Sequence, residues 1–421
     1  MQTRPNRSEV LAWSMYDFAN SGYTTVVLTT IFNAYFVAVI AGGAGFDAGS
    51  ATFLWTTSIA VGNAMVLLSA PVVGAIADHR ASKKRFLLIT TAGCVMTTAL
   101  LGFVAEGMVV VCVVVLVISV LTFGSGEYLI ASFLPEIAPE DQMGRVSGYG
   151  WGLGYFGGLL TLGVCLAYVT WAQGRGQDAR DFVPVTLWIT AGIFAVAAVP
   201  SFVVLKERGI PTARGAAGSL LSGGFSRVRE TLRHARTFRD LFRFLLTLVT
   251  FQAGISTVIV VAGIYAQEVL GFSSTDLIVL IMVVNVTAAV GAFGMGHLQD
   301  RIGSSLALSL ALVVWIGAIL LILVTDERSG IWLPANLIGL AMGGSQSAGR
   351  ALIGQFTPPA RTGEFFGLWG LATHLATIIG PITYGAIGWL AAGDQRIALV
   401  STLTFFVVGL ALLRTARFVH G

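Results

Sequence analysis

Ala70-Pro-Val-Val-Gly74-Ala-Ile-Ala-Asp78-His79-Arg80-Ala-Ser-Lys83-Lys84-Arg85 is the stretch that decides how this chain is built. An apolar run closes on a Gly-x-x-x-Asp step and then on a basic cluster, the pattern of a short charged hairpin between two membrane spans. The step returns 222 positions later as Gly296-His-Leu-Gln-Asp300-Arg301-Ile-Gly303. A second pair of segments repeats at nearly the same offset. Pro139-Glu-Asp-Gln-Met-Gly144-Arg145-Val-Ser-Gly148 lies over Pro358-Pro-Ala-Arg-Thr-Gly363-Glu-Phe-Phe-Gly367, 219 positions on. Two matches at one spacing indicate a duplicated chain, and duplicated membrane bundles commonly carry solutes at the seam between their repeats.

The composition around the hairpins agrees. Of 421 residues 55% are hydrophobic and 11% charged, and the mean hydropathy is +0.82, which excludes a soluble globular protein. Apolar runs long enough to cross a ~30 Å hydrocarbon core fall at roughly 18–40, 52–77, 86–105, 108–133, 146–171, 183–205, 241–267, 275–297, 306–325, 331–354, 364–391 and 396–414. Inside lipid each must be helical to satisfy its own backbone. The expected fold is therefore all-α: twelve transmembrane helices in two pseudo-symmetric six-helix bundles, over 1–205 and 241–421, joined by a polar connection at 206–240. In that connection Leu221, Phe225, Val228, Leu232 and Ala235 share one helical face, and several Arg lie elsewhere, so a basic amphipathic helix on the lipid surface is expected.

Basic residues fix the orientation. With twelve spans, 21 of the 25 Lys and Arg fall on the side of the termini, and only Arg175, Arg180, Arg328 and Arg396 fall on the other. By the positive-inside rule both termini are cytoplasmic. The preponderance of Arg over Lys, with abundant Gly and Ala, points to a bacterial plasma (inner) membrane. The net charge of +4 describes this topology, so no nucleic-acid partner is expected. Cys94, Cys112 and Cys165 stand singly in apolar spans without metal or redox spacing, so no metal or cofactor is expected. Gly152-Leu-Gly-Tyr-Phe-Gly157 has the form of a dinucleotide fingerprint but sits within a span. It belongs with Gly144 and Gly148 to a stripe of small residues for helix packing.

The hairpin at Gly74–Arg85 resembles the loop between spans two and three of the major facilitator superfamily, whose pattern is Gly-x-x-x-Asp-Arg/Lys-x-Gly-x-Arg/Lys-Arg/Lys. Gly74, Asp78, Lys83 and Lys84 fit it. His79 takes a usually basic position and Ala81 replaces the second Gly, which predicts a looser turn. Trp13-Ser-Met-Tyr16-Asp17-Phe-Ala-Asn20-Ser21 narrows the resemblance to the UMF1/Atg22-like branch, together with Phe133-Leu-Pro-Glu-Ile-Ala-Pro139 and Gly343-Gly-Ser-Gln346-Ser-Ala-Gly-Arg350. The resemblance implies a carrier of small solutes working by alternating access, with amino acids the leading class. It also implies a central cavity lined by spans one, four, seven and ten.

Ionisable groups within spans are costly unless paired or wet, so they mark function. Glu127 in span four and Arg350 in span ten lie 223 positions apart, nearly equivalent places in the two repeats. They are expected to face each other across the cavity floor, as receptors for the two ends of a zwitterion, as a gate, or as a fixed salt bridge. Asp17 and Asn20 share a face of span one. Asp17, like Glu127, is a candidate for a coupling proton, with a helix-end or interdomain hydrogen bond as the alternative. Gln252, Asn285, Gln346 and His374 complete the candidate cavity set. Gly74, Asp78, Arg80, Lys83, Lys84 and Arg85 in the first hairpin, Asp300 and Arg301 in the second, and Arg145 in the link between spans four and five form the expected cytoplasmic gate. The Gly of each hairpin permits close helix approach, and the Asp can face the positive end of a neighbouring helix or a nearby Arg.

No His-Glu-x-x-His, Gly-x-Ser-x-Gly or nucleotide-binding loop is present, which argues against a membrane enzyme. The alternatives kept beside the carrier are a transporter-like sensor without net flux and an exporter of amphipathic compounds. The expected partners are a small-molecule substrate, the lipid bilayer and a coupling proton or ion, and the chain is expected to act as a monomer.

Overall fold

The computed structural model describes residues 5–208, 239–268, 271–272, 274–325, 327–391 and 395–415. Most of the 206–240 connection, including the expected amphipathic helix, lies outside the described residues. Twelve long helices are present among them: α1 (Arg7–Ala44), α2 (Ala48–Arg80), α3 (Lys83–Leu101), α4 (Val109–Ala131), α5 (Met143–Gln173) and α6 (Ala179–Val204), then α7 (Arg239–Glu268), α8 (Ser274–Ile302), α9 (Ser304–Leu323), α10 (Trp332–Phe356), α11 (Thr362–Leu390) and α12 (Gln395–Thr415). Eleven of these are long and apolar enough to cross a membrane. The exception is α10, which is long enough, at 25 residues, but interrupts its apolar sequence with Gly343-Gly-Ser-Gln346-Ser-Ala-Gly-Arg350. That helix is largely buried among the others, so it has little need of an apolar surface.

The helix starts follow local chemistry. Asn6 caps α1 by accepting the Ser8 N–H at 3.0 Å, and Asp47 caps α2 by accepting from Gly49 and Ser50. The bonds from Ser50 hold the Asp47 carboxyl below its usual range. Such caps satisfy orphan N–H groups at a helix start. The first helix begins at Arg7, eleven residues before the expected span, so the whole Trp13–Ser21 signature is helical and buried on most of its faces. Further along, α1 widens into π-helical turns at Thr24–Thr30 and Phe36–Ala41. In the first of these, Thr25, Thr29 and Thr30 hydroxyls donate to carbonyls four or five residues back, a competing bond that distorts a helix.

Packing inside the two halves is matched. In the first, α1 lies on α5 and α6, α3 on α4 and α6, and α2 on α4. In the second, the equivalent α7 lies on α11 and α12, α9 on α10 and α12, and α8 on α10. The halves meet where α2 packs on α11 and α5 on α8, with α10 against α5 and α11 against α4. This is the two-bundle arrangement expected from the repeat.

Candidate functional site

The seam between the halves is built on glycine. A Cβ at Gly363 would come within 2.6 Å of the Gly74 carbonyl oxygen, and one at Gly74 would strike Gly363. The second seam repeats this with the equivalent residues: Gly296 meets the Gly144 carbonyl at 2.6 Å, and Gly144 meets that of Gly296 at 2.8 Å. Backbone therefore touches backbone at both places, which brings each hairpin Asp to the start of a helix in the opposite half. Asp78 accepts the N–H groups of Gly363 and Glu364, both at 2.9 Å, at the N-terminus of α11. Asp300 accepts the Arg145 N–H at 3.3 and 3.2 Å at the N-terminus of α5, with the Arg145 Nε 3.8 Å away. A carboxylate at a helix N-terminus is favoured by both hydrogen bonding and the helix dipole.

The first latch has the shorter hydrogen bonds and more side-chain contacts around it. Lys83, 1% exposed, pairs with Glu136 and donates to Thr362 Oγ1 across the seam at 2.7 Å. Glu136 also accepts the Arg208 N–H, whose guanidinium reaches Glu9 at 2.7 Å. Glu207 caps α3 by accepting from Lys83 N–H at 2.5 Å, and Lys84 Nζ donates to the Leu205 carbonyl. Ala81, in the position where the resembled pattern has Gly, closes α2 in the left-handed region at φ 47°. The turn is thus not loosened by the missing Gly. Arg80, Arg85 and Arg301, expected in the gate, are exposed and take no hydrogen bond or ion pair among the described residues. Each sits at or near a helix end.

Inward of the latches, α1, α5 and α10 converge on Arg350. Its Nη1 pairs with Asp17 at 2.7 Å, its Nη2 donates to the Ser147 carbonyl at 3.0 Å, and its Nε donates to Ser147 Oγ at 3.2 Å. Its guanidinium lies over the ring of Trp13 at 4.5 Å and that of Trp151 at 5.2 Å, contacts in which the ring face attracts the cation. Trp13 is itself held by its Nε1, which donates to the Ile130 carbonyl of α4 at 2.7 Å, and Tyr16 bonds Thr91 of α3 at 2.6 Å. The N-terminal signature is therefore a docking surface for an arginine of the other half. Ser147 Oγ also donates to the Ser347 carbonyl at 2.8 Å.

The expected partner of Arg350 was Glu127, and here the structure differs. Gly150 of α5 leaves open the space between Asp17 and Arg350, since a Cβ there would strike both, and α1 settles into that gap. Glu127 lies within electrostatic range of Asp17 and Arg350, is partly exposed, and takes no hydrogen bond or ion pair among the described residues. The remaining candidates divide. Asn20 and Gln252 are buried, and neither Asn20 Oδ1 nor Gln252 Oε1 has a hydrogen-bond partner among the described residues. Gln346 stands one turn before Arg350 on α10, partly exposed. His374 of α11 is buried and lies against Gly124 of α4, 3.2 Å from a Cβ placed there. Asn285 donates to the Ile281 carbonyl of its own helix at 2.8 Å, a local bond that ties it to no neighbour. Among the described residues no group of three or more His, Cys, Asp and Glu could hold a metal ion.

Sequence reasoning missed Trp13, Trp151 and Ser147 as partners of the arginine, and Glu9, Glu136 and Glu207 as partners of the first latch. Aromatic residues in a membrane helix carry no mark that separates a cation's cradle from ordinary packing. The acids were legible only as charges near helix ends.

The family model described as "Vacuole effluxer Atg22 like" matches residues 37–420. The Bacillus subtilis MFS-type transporter YxiO is 26% identical over 404 residues, covering 96% of this chain and 93% of that protein. Autophagy-related protein 22 of Kluyveromyces lactis is 23% identical over 333 residues, covering 73% and 67%. Among solved structures, the human organic anion transporter MFSD10 superposes with a TM-score of 0.75 at 16% identity, covering 97% of this chain and 99% of that one. At that identity the likeness is one of fold.

Proposed function

Because the chain belongs to the Atg22-like vacuole effluxer family of major facilitator transporters, we propose that it is a secondary carrier moving a small polar or zwitterionic organic solute by alternating access, with amino acids the first class to test. The observation that carries this reading is the contrast between the ends of the seam and its interior. Symmetric Asp-to-helix latches join the halves at the end bearing the termini, while Glu127 and the amide oxygens of Asn20 and Gln252 have no partners among the described residues. A solute and water can supply those partners, entering from the end opposite the latches while these are closed and leaving past them once they open.

In this reading the basic end faces the cytoplasm of a bacterium, and the latched arrangement is the state closed on that side. Release of Asp78 and Asp300 from α11 and α5 would let the halves rock apart about α2–α11 and α5–α8. The Asp17–Arg350 pair spans the halves just inward of the latches, so its rupture belongs to the same step. Asp17 and Glu127 are the groups proposed to exchange a coupling proton.

The test is flux of a mixed panel of labelled amino acids, amines, sugars and organic acids in proteoliposomes, with and without an imposed proton gradient. Saturable flux of one class, lost in Arg350→Ala, supports the carrier. Ligand-dependent thermal stabilisation with no flux of any solute would instead make the protein a receptor.

A further inference from the structure

We infer that the interior site recognises its solute by a cationic pole, a primary ammonium received by Glu127 and Asn20, and not by a carboxylate bound to Arg350. The inference rests on the carrier reading for its context and narrows the solute that reading admits.

A guanidinium that captures a carboxylate must offer a free edge. Arg350 offers none: Nη1 faces Asp17, Nη2 and Nε face Ser147, and indoles lie against it at 4.5 and 5.2 Å. It is 3% exposed. A zwitterion arriving here meets a cation whose charge is already matched. Asp17 is engaged by Arg350, and Glu127, in electrostatic range of both, is the acid left without a hydrogen bond or ion pair among the described residues. An unpaired carboxylate within a membrane span calls for water or a cation.

The hydrogen-bonding inventory agrees with the charge. Asn20 shares the Asp17 face of α1, is 7% exposed, and its Oδ1 has no partner. An ammonium carries three donors and no acceptor, the complement of a carboxylate beside an amide oxygen. Trp151 Nε1, also without a partner, supplies one neutral donor, suited to a carbonyl or hydroxyl on the solute rather than to a full negative charge. Trp151 and Tyr155, their rings 5.9 Å apart, add aromatic surface of the kind that attracts organic cations.

The experiment uses the full chain in detergent at pH 8, where an ordinary carboxylate is ionised, and matched probes that carry one pole each. The ammonium members are n-butylamine, 2-phenylethylamine and leucinamide. The carboxylate members are butyrate, 3-phenylpropionate and N-acetylleucine. At least one ammonium probe is expected to raise Tm by about 2 °C or more at saturation, its carboxylate match to leave Tm unchanged, and Glu127→Gln to abolish the rise. Stabilisation by carboxylate members, or by no ammonium member, or a rise that survives Glu127→Gln, overturns the inference. If Glu127→Gln fails to fold, the matched probes on the unaltered chain decide it, and Asn20→Ala is expected to weaken the ammonium shift. Flux separates this from the parent reading. A stabilising amine that is never transported sinks the carrier and leaves the site, whereas transport of solutes bearing only a carboxylate keeps the carrier and sinks the site.

Discussion

Arg350→Gln should open the seam at its latched end, and the size of the effect follows from what the substitution leaves behind. It removes the 2.7 Å pair to Asp17 and both bonds to Ser147, and Asp17, 8% exposed, is stranded without its cation. Breaking a buried ion pair by deleting one partner costs about 3–5 kcal/mol. The cost falls on the closed arrangement, because only there is Asp17 shut away from water. With each 1.4 kcal/mol worth about tenfold, the lower bound already shifts the equilibrium toward the open arrangement by about a hundredfold. Asp17→Asn combined with Arg350→Gln removes the stranded charge, so the double variant should lie closer to the parent than Arg350→Gln alone, with a coupling energy of at least ~2 kcal/mol in the cycle. The reporter is Ser347→Cys, a seam position with no solvent exposure, labelled with a maleimide. Cys94, Cys112 and Cys165 are all buried and give little background. A labelling rate in Arg350→Gln within threefold of the parent refutes the reasoning, as does a double variant that labels faster than either single.

Gly363→Ala should disfavour the closed seam by roughly 1–3 kcal/mol, since its methyl would meet the Gly74 carbonyl at 2.6 Å and Asp78 Oδ1 at 2.9 Å; unchanged labelling at Ser347→Cys would count against a backbone-to-backbone seam. Ala81→Gly should raise Tm, because the left-handed φ of 47° costs an L-residue about 1–2 kcal/mol and glycine returns only about 0.5–1 kcal/mol of that in chain entropy; a fall in Tm would refute it. Lys83→Met should destabilise by about 3–5 kcal/mol in thermal melts by stranding Glu136, and the further change Glu136→Gln should recover much of the loss. Asp78→Asn should slow transport more than Asp300→Asn, following the shorter hydrogen bonds and the added Lys83–Thr362 contact at the first latch; equal effects would remove the ranking.

What the sequence disclosed and what it hid divide along physical lines. The twelve helices and their two matched halves were legible because they rest on period, length and repetition, whereas for each hairpin Asp the sequence left open a helix end or a nearby Arg. Gly74 with Gly363, and Gly296 with Gly144, are the same contact read twice. Arg350 was legible as a charge within a span that needs a partner, but which partner was not. The equivalence of positions 127 and 350 between the repeats suggested a pair across the cavity, whereas the partner is set by how closely α1 can approach α5. That approach depends on a glycine, Gly150, whose contribution is an empty volume that no pattern of charge reveals. Arg80, Arg85 and Arg301 show a related limit: adjacency in sequence to a latch residue does not by itself give a helix-end side chain a partner, and all three are exposed.

The contacts α2–α11 and α8–α5 place the hairpin helix of each half against the fifth helix of the other, which is the isologous arrangement of a two-fold homodimer. A single chain here carries an interface of the kind two identical subunits make. A two-fold interface duplicates every favourable contact but cannot by itself distinguish one side from the other. The distinction enters where equivalence lapses, at Arg350 and its counterpart Glu127: the first is clasped by Asp17 and two indoles, the second by nothing among the described residues. Symmetry thus holds the molecule together, and its failure at one pair of positions gives the interior a polarity that a pair of identical halves would lack.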